Sequence, residues 1–182
     1  MEQIEVFSQS KENIQPLRQG RVVSQLETAL EAQDNPTAYQ ELIKEQQRYE
    51  VLIRSYEGGD PLQLWGEYVS WVEQSFPQGN GRDSKYPQIL EKCLTLFKDD
   101  ANYKQDLRYV KLWLKYIELQ ANPQEVFQLV HSHGIGTQTS LFYRCWAYHF
   151  ELAKDFKHAD EVYKLGCTYN AQPKEELDNA RA

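Results

Sequence analysis

The sequence lacks the features that mark secreted, membrane-spanning and disulfide-bonded proteins. No apolar run approaches the ~18 residues of a membrane span, and the acidic, polar start has no apolar segment of a secretory signal. Cysteine is scarce: Cys93, Cys145 and Cys167 are odd in number and widely spaced, which predicts neither a disulfide framework nor a zinc knuckle. Because each has apolar neighbours, we expect three reduced core thiols in a cytosolic or nuclear protein.

Positive charge and catalytic motifs are missing as well. The formal net charge of -7 disfavours nucleic acid as a partner. No Gly-rich phosphate loop, HRD or DFG motif of a kinase is present, so we expect neither enzymatic activity nor a cofactor. His131 and His133 have no nearby third ligand for a metal. We expect both at the C-terminus of a helix, where cations are favoured, and His149 and His158 at surface or boundary positions.

What the chain does have is enough apolar residues for a core, placed at helical spacing. Hydrophobic residues make up 41% of the 182 positions, and they recur at intervals of three, four and seven. Asn35-Pro36, Asp60-Pro61 and Asn122-Pro123 have the composition of helix starts. With no strand-like alternation, we predict an all-α protein of eight or nine helices. The predicted helices cover about 22–33, 36–57, 61–76, 86–97, 103–120, 123–133, 139–153 and 155–169, with a loop at 77–81 and a tail helix after Pro173.

Several helices carry nearly two apolar stripes, which is typical of helices packed between neighbours on both sides. Leu64–Val69 is matched in residue type by Leu112–Ile117. We predict a flexible N-terminal arm at 1–20, leading helices at 21–56 and a tetratricopeptide (TPR)-like helical-repeat solenoid at 57–182, with an irregular bundle as the alternative. The last repeat rests on the spacing of Tyr143, Trp146, Ala147, Phe150, Ala159, Tyr163 and Gly166. Residues expected to pack in the core are Trp65, Trp113, Trp146 and Ala147. The stripes predicted in 103–120 are Leu107, Val110, Leu114 and Ile117, and Tyr109, Leu112, Trp113, Tyr116 and Leu119.

The arm contains the sharpest short motif, the KEN tripeptide Lys11-Glu12-Asn13. It lies in a polar segment, broken by Pro16 and Gly20, that a partner can reach. A turn at Asn13 would present the lysine cation and the glutamate anion on one small surface. Residues 11–21 are also locally basic, which suits docking on an acidic partner. For both features the alternative is an ordinary polar tail.

Several blocks of the chain together resemble one protein family. They are Ser10–Arg21, Asp60–Trp65 with Tyr68 and Trp71, Phe76–Gly79, Leu112–Tyr116, His133–Gly136, and Phe156 with Ala159–Tyr163 and Gly166. Over residues 8–175 they are similar to the N-terminal region of the Mad-three/BubR mitotic spindle-checkpoint proteins. The kinase-bearing Bub sibling typically lacks the leading KEN segment, so the arm favours the Mad-three/BubR branch. A second KEN motif, and any kinase-like domain, would lie beyond Ala182.

The resemblance implies a component of the mitotic checkpoint complex that inhibits the anaphase-promoting complex as a pseudosubstrate, in the nucleus and cytoplasm and at kinetochores in mitosis. The KEN box would dock on the WD40 propeller of a Cdc-twenty-type coactivator, and the Mad-two HORMA protein would contact the arm and the first helices. The binding triad is then Lys11, Glu12 and Asn13, with supporting contacts from Ile14, Pro16, Leu17, Arg18 and Arg21.

The second stripe of 103–120 has two interpretations. It packs on adjacent helices, which the residues favour, or part of it stays open as a groove. The resemblance implies a groove for a kinetochore scaffold peptide near Trp113, Tyr116 and Leu119, although His149 stands where some relatives have an acidic residue. Two other functions also stay open: a generic TPR peptide-binding adaptor, and a substrate of the anaphase-promoting complex with a true KEN degron.

Overall fold

The computed structural model describes residues 22–76 and 85–182. The KEN box with its supporting contacts, and the predicted loop at 77–81, lie outside these residues. Within them the chain forms nine α-helices and no strand, which confirms the all-α prediction. The helices are α1 (Val23–Asp34), α2 (Pro36–Arg54), α3 (Pro61–Ser75), α4 (Tyr86–Phe97), α5 (Leu107–Glu118), α6 (Pro123–Ser132), α7 (Ser140–Leu152), α8 (Phe156–Thr168) and α9 (Lys174–Arg181).

Helix starts follow the sequence signals closely. At the start of α2 the Asn35 side chain accepts hydrogen bonds from the backbone N–H groups of Thr37 and Ala38 at 3.0 and 3.4 Å. Pro36 then occupies the first helical position, where its missing N–H costs no hydrogen bond. Pro61 and Pro123 open α3 and α6 in the same position. The proline signal therefore located three helix starts correctly.

Two helix boundaries differ from the prediction. Helix α2 ends at Arg54, before the Gly58-Gly59 pair, and the Ser55 hydroxyl and N–H both donate to the Val51 carbonyl at this end, at 2.8 and 3.0 Å. Helix α5 begins at Leu107 instead of residue 103. The chain before it forms a turn, and the Asp106 carboxylate accepts from the Arg108 N–H at 2.9 Å as the helix cap.

The chain divides into two compact units, one up to Leu90 and one from Glu91. In the first unit α1 packs on α2 and α3, and α2 packs on α3. The core of this unit includes Leu62, Val69 and Val72, together with Tyr68. The Tyr68 hydroxyl accepts from the Gln46 amide at 3.3 Å and donates to Glu50 at 3.2 Å, so the buried phenol is fully hydrogen-bonded. The predicted domain boundaries after residues 20 and 56 stay predictions.

In the second unit α7 and α8 form a helical hairpin, and α9 packs against both helices. The residues with TPR spacing meet here: Tyr143, Ala147, Ala159 and Tyr163 are all buried. A Cβ atom at Gly166 would lie 2.9 Å from side-chain carbons of Tyr143 and Leu177. Glycine at this position therefore allows the three helices to approach one another.

Two expectations about burial are wrong. Cys93 is buried, which raises the pKa of its thiol to about 12, but Cys145 and Cys167 are only half-buried. Leu107, predicted in a packed stripe of α5, is 49% exposed. Neighbouring residues in an α-helix point about 100° apart, so apolar neighbours along the chain do not ensure burial.

Candidate functional site

Most of the double stripe on α5 is packed. Val110 and Ile117 are fully buried, and so is Tyr109, whose hydroxyl donates to the Leu94 carbonyl of α4 at 2.6 Å. Leu112 and Leu114 are also buried. A helix covered on both sides in this way has little free surface. Any groove on α5 is therefore confined to its half-buried and exposed positions.

Trp113 and Tyr116 on α5 and Leu119 just after it, three positions of the predicted groove, are half-buried. The Trp113 and Tyr116 rings meet edge to face, with centroids 5.7 Å apart and an interplanar angle of 87°. Leu119 directly follows the helix. Burial raises the pKa of Tyr116, so its hydroxyl stays protonated and able to donate. Two aromatic rings with a phenol donor can bind both the apolar and the polar side chains of an amphipathic segment.

His149 lies on a different helix from these residues. Its ring is on α7, with its centroid 5.4 Å from that of Phe127 on α6 and 6.4 Å from that of Tyr148. It is half-buried, as expected for a boundary residue. The structure thus brings Trp113 and Tyr116 into contact and places His149 against α6. A groove that includes all four predicted residues stays a prediction.

Sequence reasoning missed Gln105, which holds the turn between α6 and α7. Its amide nitrogen donates to the Gly134 carbonyl at 2.7 Å and to the Thr137 hydroxyl at 3.0 Å, and its amide oxygen accepts from the Gln138 N–H at 2.8 Å. Gly134 and Gly136 in this turn have φ of 76 and 71, a conformation that favours glycine. Gln105 lies 29 residues before Gly134, and no local pattern signals such a contact.

His131 is at the C-terminal end of α6, as predicted, but it lies in an aromatic cluster. Its ring centroid is 4.8 Å from that of Tyr169 and 5.7 Å from that of Trp146. The Tyr143 hydroxyl donates to the Thr137 carbonyl at 2.7 Å, so in its 3.0 Å bond to that hydroxyl the His131 Nε2 is the donor. Burial lowers the pKa of His131. The physical cause is that the cluster removes water that would solvate a charge on the ring.

The other predicted positions are simpler. Trp65, Trp146 and Ala147 are buried as expected, whereas Trp113 is half-buried. His133 is exposed at the end of α6, with its Nδ1 2.8 Å from the Leu129 carbonyl oxygen. Among the residues that the structure describes, no cluster of His, Cys, Asp and Glu could hold a metal ion. No helix in the same part of the chain is long and apolar enough to cross a bilayer.

Comparison with known proteins identifies the family. The family model described as Mad3/BUB1 homology region 1 matches residues 44–167. The mitotic checkpoint serine/threonine-protein kinase BUB1 beta of Homo sapiens is 39% identical over 171 residues, which cover 93% of this chain and 16% of the human protein. The mitotic spindle checkpoint component mad3 of Schizosaccharomyces pombe is 36% identical over 171 residues, which cover 93% of this chain and 55% of mad3.

A solved structure agrees with these relatives. One chain of a crystal structure of a mitotic checkpoint complex aligns with a TM-score of 0.87 at 34% identity, over 97% of this chain and 83% of that chain. The fold is therefore the all-helical, TPR-like repeat fold of mitotic checkpoint proteins. The chain belongs to the Mad3/BUB1 homology region 1 family, as its resemblance predicted. It spans 16% of the length of the human relative and 55% of the length of mad3.

Proposed function

We propose that this chain acts in the spindle assembly checkpoint by joining a mitotic checkpoint complex and inhibiting the anaphase-promoting complex as a KEN-box pseudosubstrate. Lys11, Glu12 and Asn13 dock on the WD40 propeller of a Cdc-twenty-type coactivator. The observation that carries the proposal is the KEN motif placed directly ahead of a helical domain of this family. A match that covers 93% of the chain cannot omit all of residues 1–20. Both relatives therefore align with part of residues 1–20.

The leading helices supply a second contact surface in this proposal. The Val22 N–H, just before α1, donates to the Gln74 side chain of α3 at 3.2 Å, which fixes the start of the leading helices on α3. The leading helices expose several large apolar side chains, Val23 on α1 and Tyr39, Val51 and Tyr56 on and just after α2. An exposed apolar surface of this kind is typical of protein interfaces. We propose that the Mad-two HORMA protein covers it while the arm holds the coactivator.

A third contact accounts for kinetochore localisation in mitosis. The half-buried rings of Trp113 and Tyr116, with Leu119, would receive an apolar segment of a kinetochore scaffold peptide. On this proposal the chain works by binding, in the nucleus and cytoplasm, with no catalytic step of its own.

The first test is binding of the WD40 coactivator, with the HORMA protein present, by the wild-type chain and by a Lys11→Ala/Glu12→Ala/Asn13→Ala variant. A matched control permutes the three residues as Lys11→Asn/Glu12→Lys/Asn13→Glu, which keeps composition and charge. Both variants should lose binding while circular dichroism shows unchanged helicity. If the permuted motif binds like wild type, the arm acts only through its charge, and if both variants bind like wild type, the helical repeats are the working surface of a generic adaptor.

The substrate alternative has one observation in its favour, namely exposed lysines such as Lys44, Lys98 and Lys111 that a ubiquitin ligase could modify. An assay with purified anaphase-promoting complex separates the two roles. A pseudosubstrate should lower ubiquitination of an added KEN-box substrate while the chain itself stays largely unmodified. Rapid modification of the chain, with no inhibition of the added substrate, would establish the substrate role.

A further inference from the structure

Helix α9 is attached to the α7–α8 hairpin by a single buried side chain. Among its eight residues Leu177 alone is buried, with 1% of its surface exposed. Leu177 fills a notch at Gly166, where a Cβ atom would lie 2.9 Å from the leucine Cδ2 atom, and Tyr143 of α7 borders the same notch. Because apolar stabilisation grows with the area removed from water, one leucine gives α9 only a small apolar contact.

Two ion pairs lie on either side of this leucine along α9. They join Arg144 of α7 to Glu176, and Arg181 to Asp160 of α8, each at 2.8 Å. The four side chains are between 39% and 51% exposed, and exposed ion pairs add little to stability. Asp160 also pairs with Lys164 of its own helix at 2.6 Å, so it keeps a partner when Arg181 leaves. The two ion pairs therefore set the position of α9 on the hairpin more than they hold it there.

The backbone is fixed just before α9 and is free of the hairpin within it. The Ser140 N–H donates to the Gln172 carbonyl at 2.9 Å, and the Gln172 N–H donates to the Gln138 carbonyl at 3.0 Å. In the part of the chain that the structure describes, the backbone of Lys174–Arg181 makes no hydrogen bond to the backbone of α7 or α8. Helix α9 can therefore leave the hairpin from Pro173 onwards while the contacts of Gln172 stay in place.

The helical form of α9 depends on the hairpin, but the hairpin has contacts of its own. Isolated helices shorter than ~12 residues are marginal in water, and α9 has eight residues. Tyr163 of α8 is buried and donates to Glu151 of α7 at 3.0 Å, a contact that does not involve α9. Segments with few buried contacts open locally without global unfolding. We therefore expect α9 to open while α7 and α8 stay folded.

From these observations we propose that α9 is a displaceable internal ligand of the α7–α8 hairpin, and that a helix of a partner protein binds in its place. The contacts of α9 define this helix. It presents a leucine to the notch at Gly166, an acidic residue directly before the leucine to Arg144, and a basic residue four positions after the leucine to Asp160. Because a longer helix is more nearly helical before it binds, it can compete with the tethered α9.

Helix α9 is then an autoinhibitory segment, which covers the groove until a partner helix displaces it. The groove involves α7, α8 and α9 only. It includes neither the arm nor the α5 face, so the inference does not rest on the proposed checkpoint function.

The test is fluorescence anisotropy with a labelled peptide of residues 171–182, added to the intact chain. Against wild type the peptide competes with the tethered α9 and should bind weakly. A Leu177→Ser change in the chain removes the anchor of its own α9, so peptide binding should tighten by about tenfold or more. The matched control is Asn179→Ser, an exposed change on the same helix that should bind the peptide like wild type. A peptide that itself carries Leu177→Ser should not bind.

An exchange of charges tests the position of the bound helix. In the chain with Leu177→Ser, a further Arg144→Glu change should weaken peptide binding severalfold, and a peptide with Glu176→Arg should restore it. A general loss of structure would weaken the binding of both peptides alike. A second chain variant, Glu176→Ala/Arg181→Ala, keeps the buried leucine and should also tighten binding of the wild-type peptide, by a smaller factor than Leu177→Ser.

Hydrogen exchange of the wild-type chain measures the opening of α9 directly. The α9 amides should exchange at least about a hundredfold faster than the Tyr163 amide of α8. Equal protection of α8 and α9, peptide binding that tightens in neither chain variant, or a charge exchange that fails to restore binding would each overturn the inference. Sedimentation velocity is run on the same samples, and a wild-type dimer that disappears with Leu177→Ser would assign the groove to α9 of a second copy and also overturn it.

Discussion

Two glycines within helices provide a matched test of the close packing in the last repeat. Gly66 lies within α3, and a Cβ atom there meets no other heavy atom within 4 Å. Gly166 lies within α8, and a Cβ atom there would be 2.9 Å from carbons of Tyr143 and Leu177. Each is changed to alanine. Both changes give the same gain in helix propensity, so any difference between them reports the packing.

The structure sets the size of each effect. Replacing glycine by alanine within a helix stabilises by about 0.8–1 kcal/mol, which is all that Gly66→Ala should do. At Gly166 the new methyl is closer to its neighbours than the ~3.5–4.0 Å of a favourable carbon contact. Overpacking of this kind costs about 1–3 kcal/mol. The effect of Gly166→Ala on the free energy of unfolding should therefore lie between nearly zero and a loss of about 2 kcal/mol. The Gly166→Ala variant should be less stable than the Gly66→Ala variant by the full overpacking cost.

Thermal and urea unfolding followed by circular dichroism measures both variants. For a chain of this size 1 kcal/mol corresponds to about 2–4 °C in melting temperature, so the two variants should be clearly separated. A third variant, Leu177→Ala, removes one of the two contacts, and Gly166→Ala should cost less in that background than alone. If Gly166→Ala stabilises as much as Gly66→Ala, the close approach of α7, α8 and α9 is refuted.

Four further results are expected. Because burial lowers the pKa of His131, the unfolded chain binds a proton at this ring more readily than the folded chain, and the free energy of unfolding should fall as pH drops below about 6.5. Thermal melts at two pH values should show a smaller drop in melting temperature for His131→Gln than for wild type, and an equal drop would contradict this. Trp146→Ala should cost about 3–5 kcal/mol in urea unfolding and Trp113→Ala less, since only Trp146 is buried; equal losses would contradict the burial difference. Gln105→Leu should cost about 1–3 kcal/mol and remove hydrogen-exchange protection at the Gln138 amide, and retained protection would mean that the turn does not depend on this side chain. A peptide of residues 1–21 should bind the WD40 coactivator at about micromolar affinity by calorimetry, and the whole chain with the HORMA protein ~10²-fold more tightly; equal affinities would refute two-point attachment.

The local sequence signals predicted the helices well because their causes are local. Asn35 before Pro36 forms a helix cap through bonds to residues two and three positions away, and a pattern of that length can be read directly. The apolar spacing of Tyr86–Phe97 located α4 at both ends. The ends that were missed lie at Arg54, just before a Ser55 side-chain bond, and at Leu107, just after a turn. The composition of such short segments is compatible with several backbone conformations.

The candidate site was less predictable from the sequence. The double stripe of α5 showed that this helix is packed on two sides, but it did not show which aromatic residues stay half-buried. Tyr109 is fully buried and Trp113, four residues later, is not. The difference in burial follows from where neighbouring helices lie against α5. It depends on the packing of those helices and cannot be predicted from the residue types.

By itself, the sequence determined an all-helical chain of this checkpoint family and the helix starts at proline. The helix starts depend on residues close together in the chain, and the family on blocks of residue types that need no tertiary structure to compare. Only the tertiary structure decided that Gln105 holds the turn after α6 and that burial in an aromatic cluster lowers the pKa of His131. These features arise from contacts between segments distant in the sequence and from the water that those contacts exclude, so the pattern of residue types along the chain does not predict them.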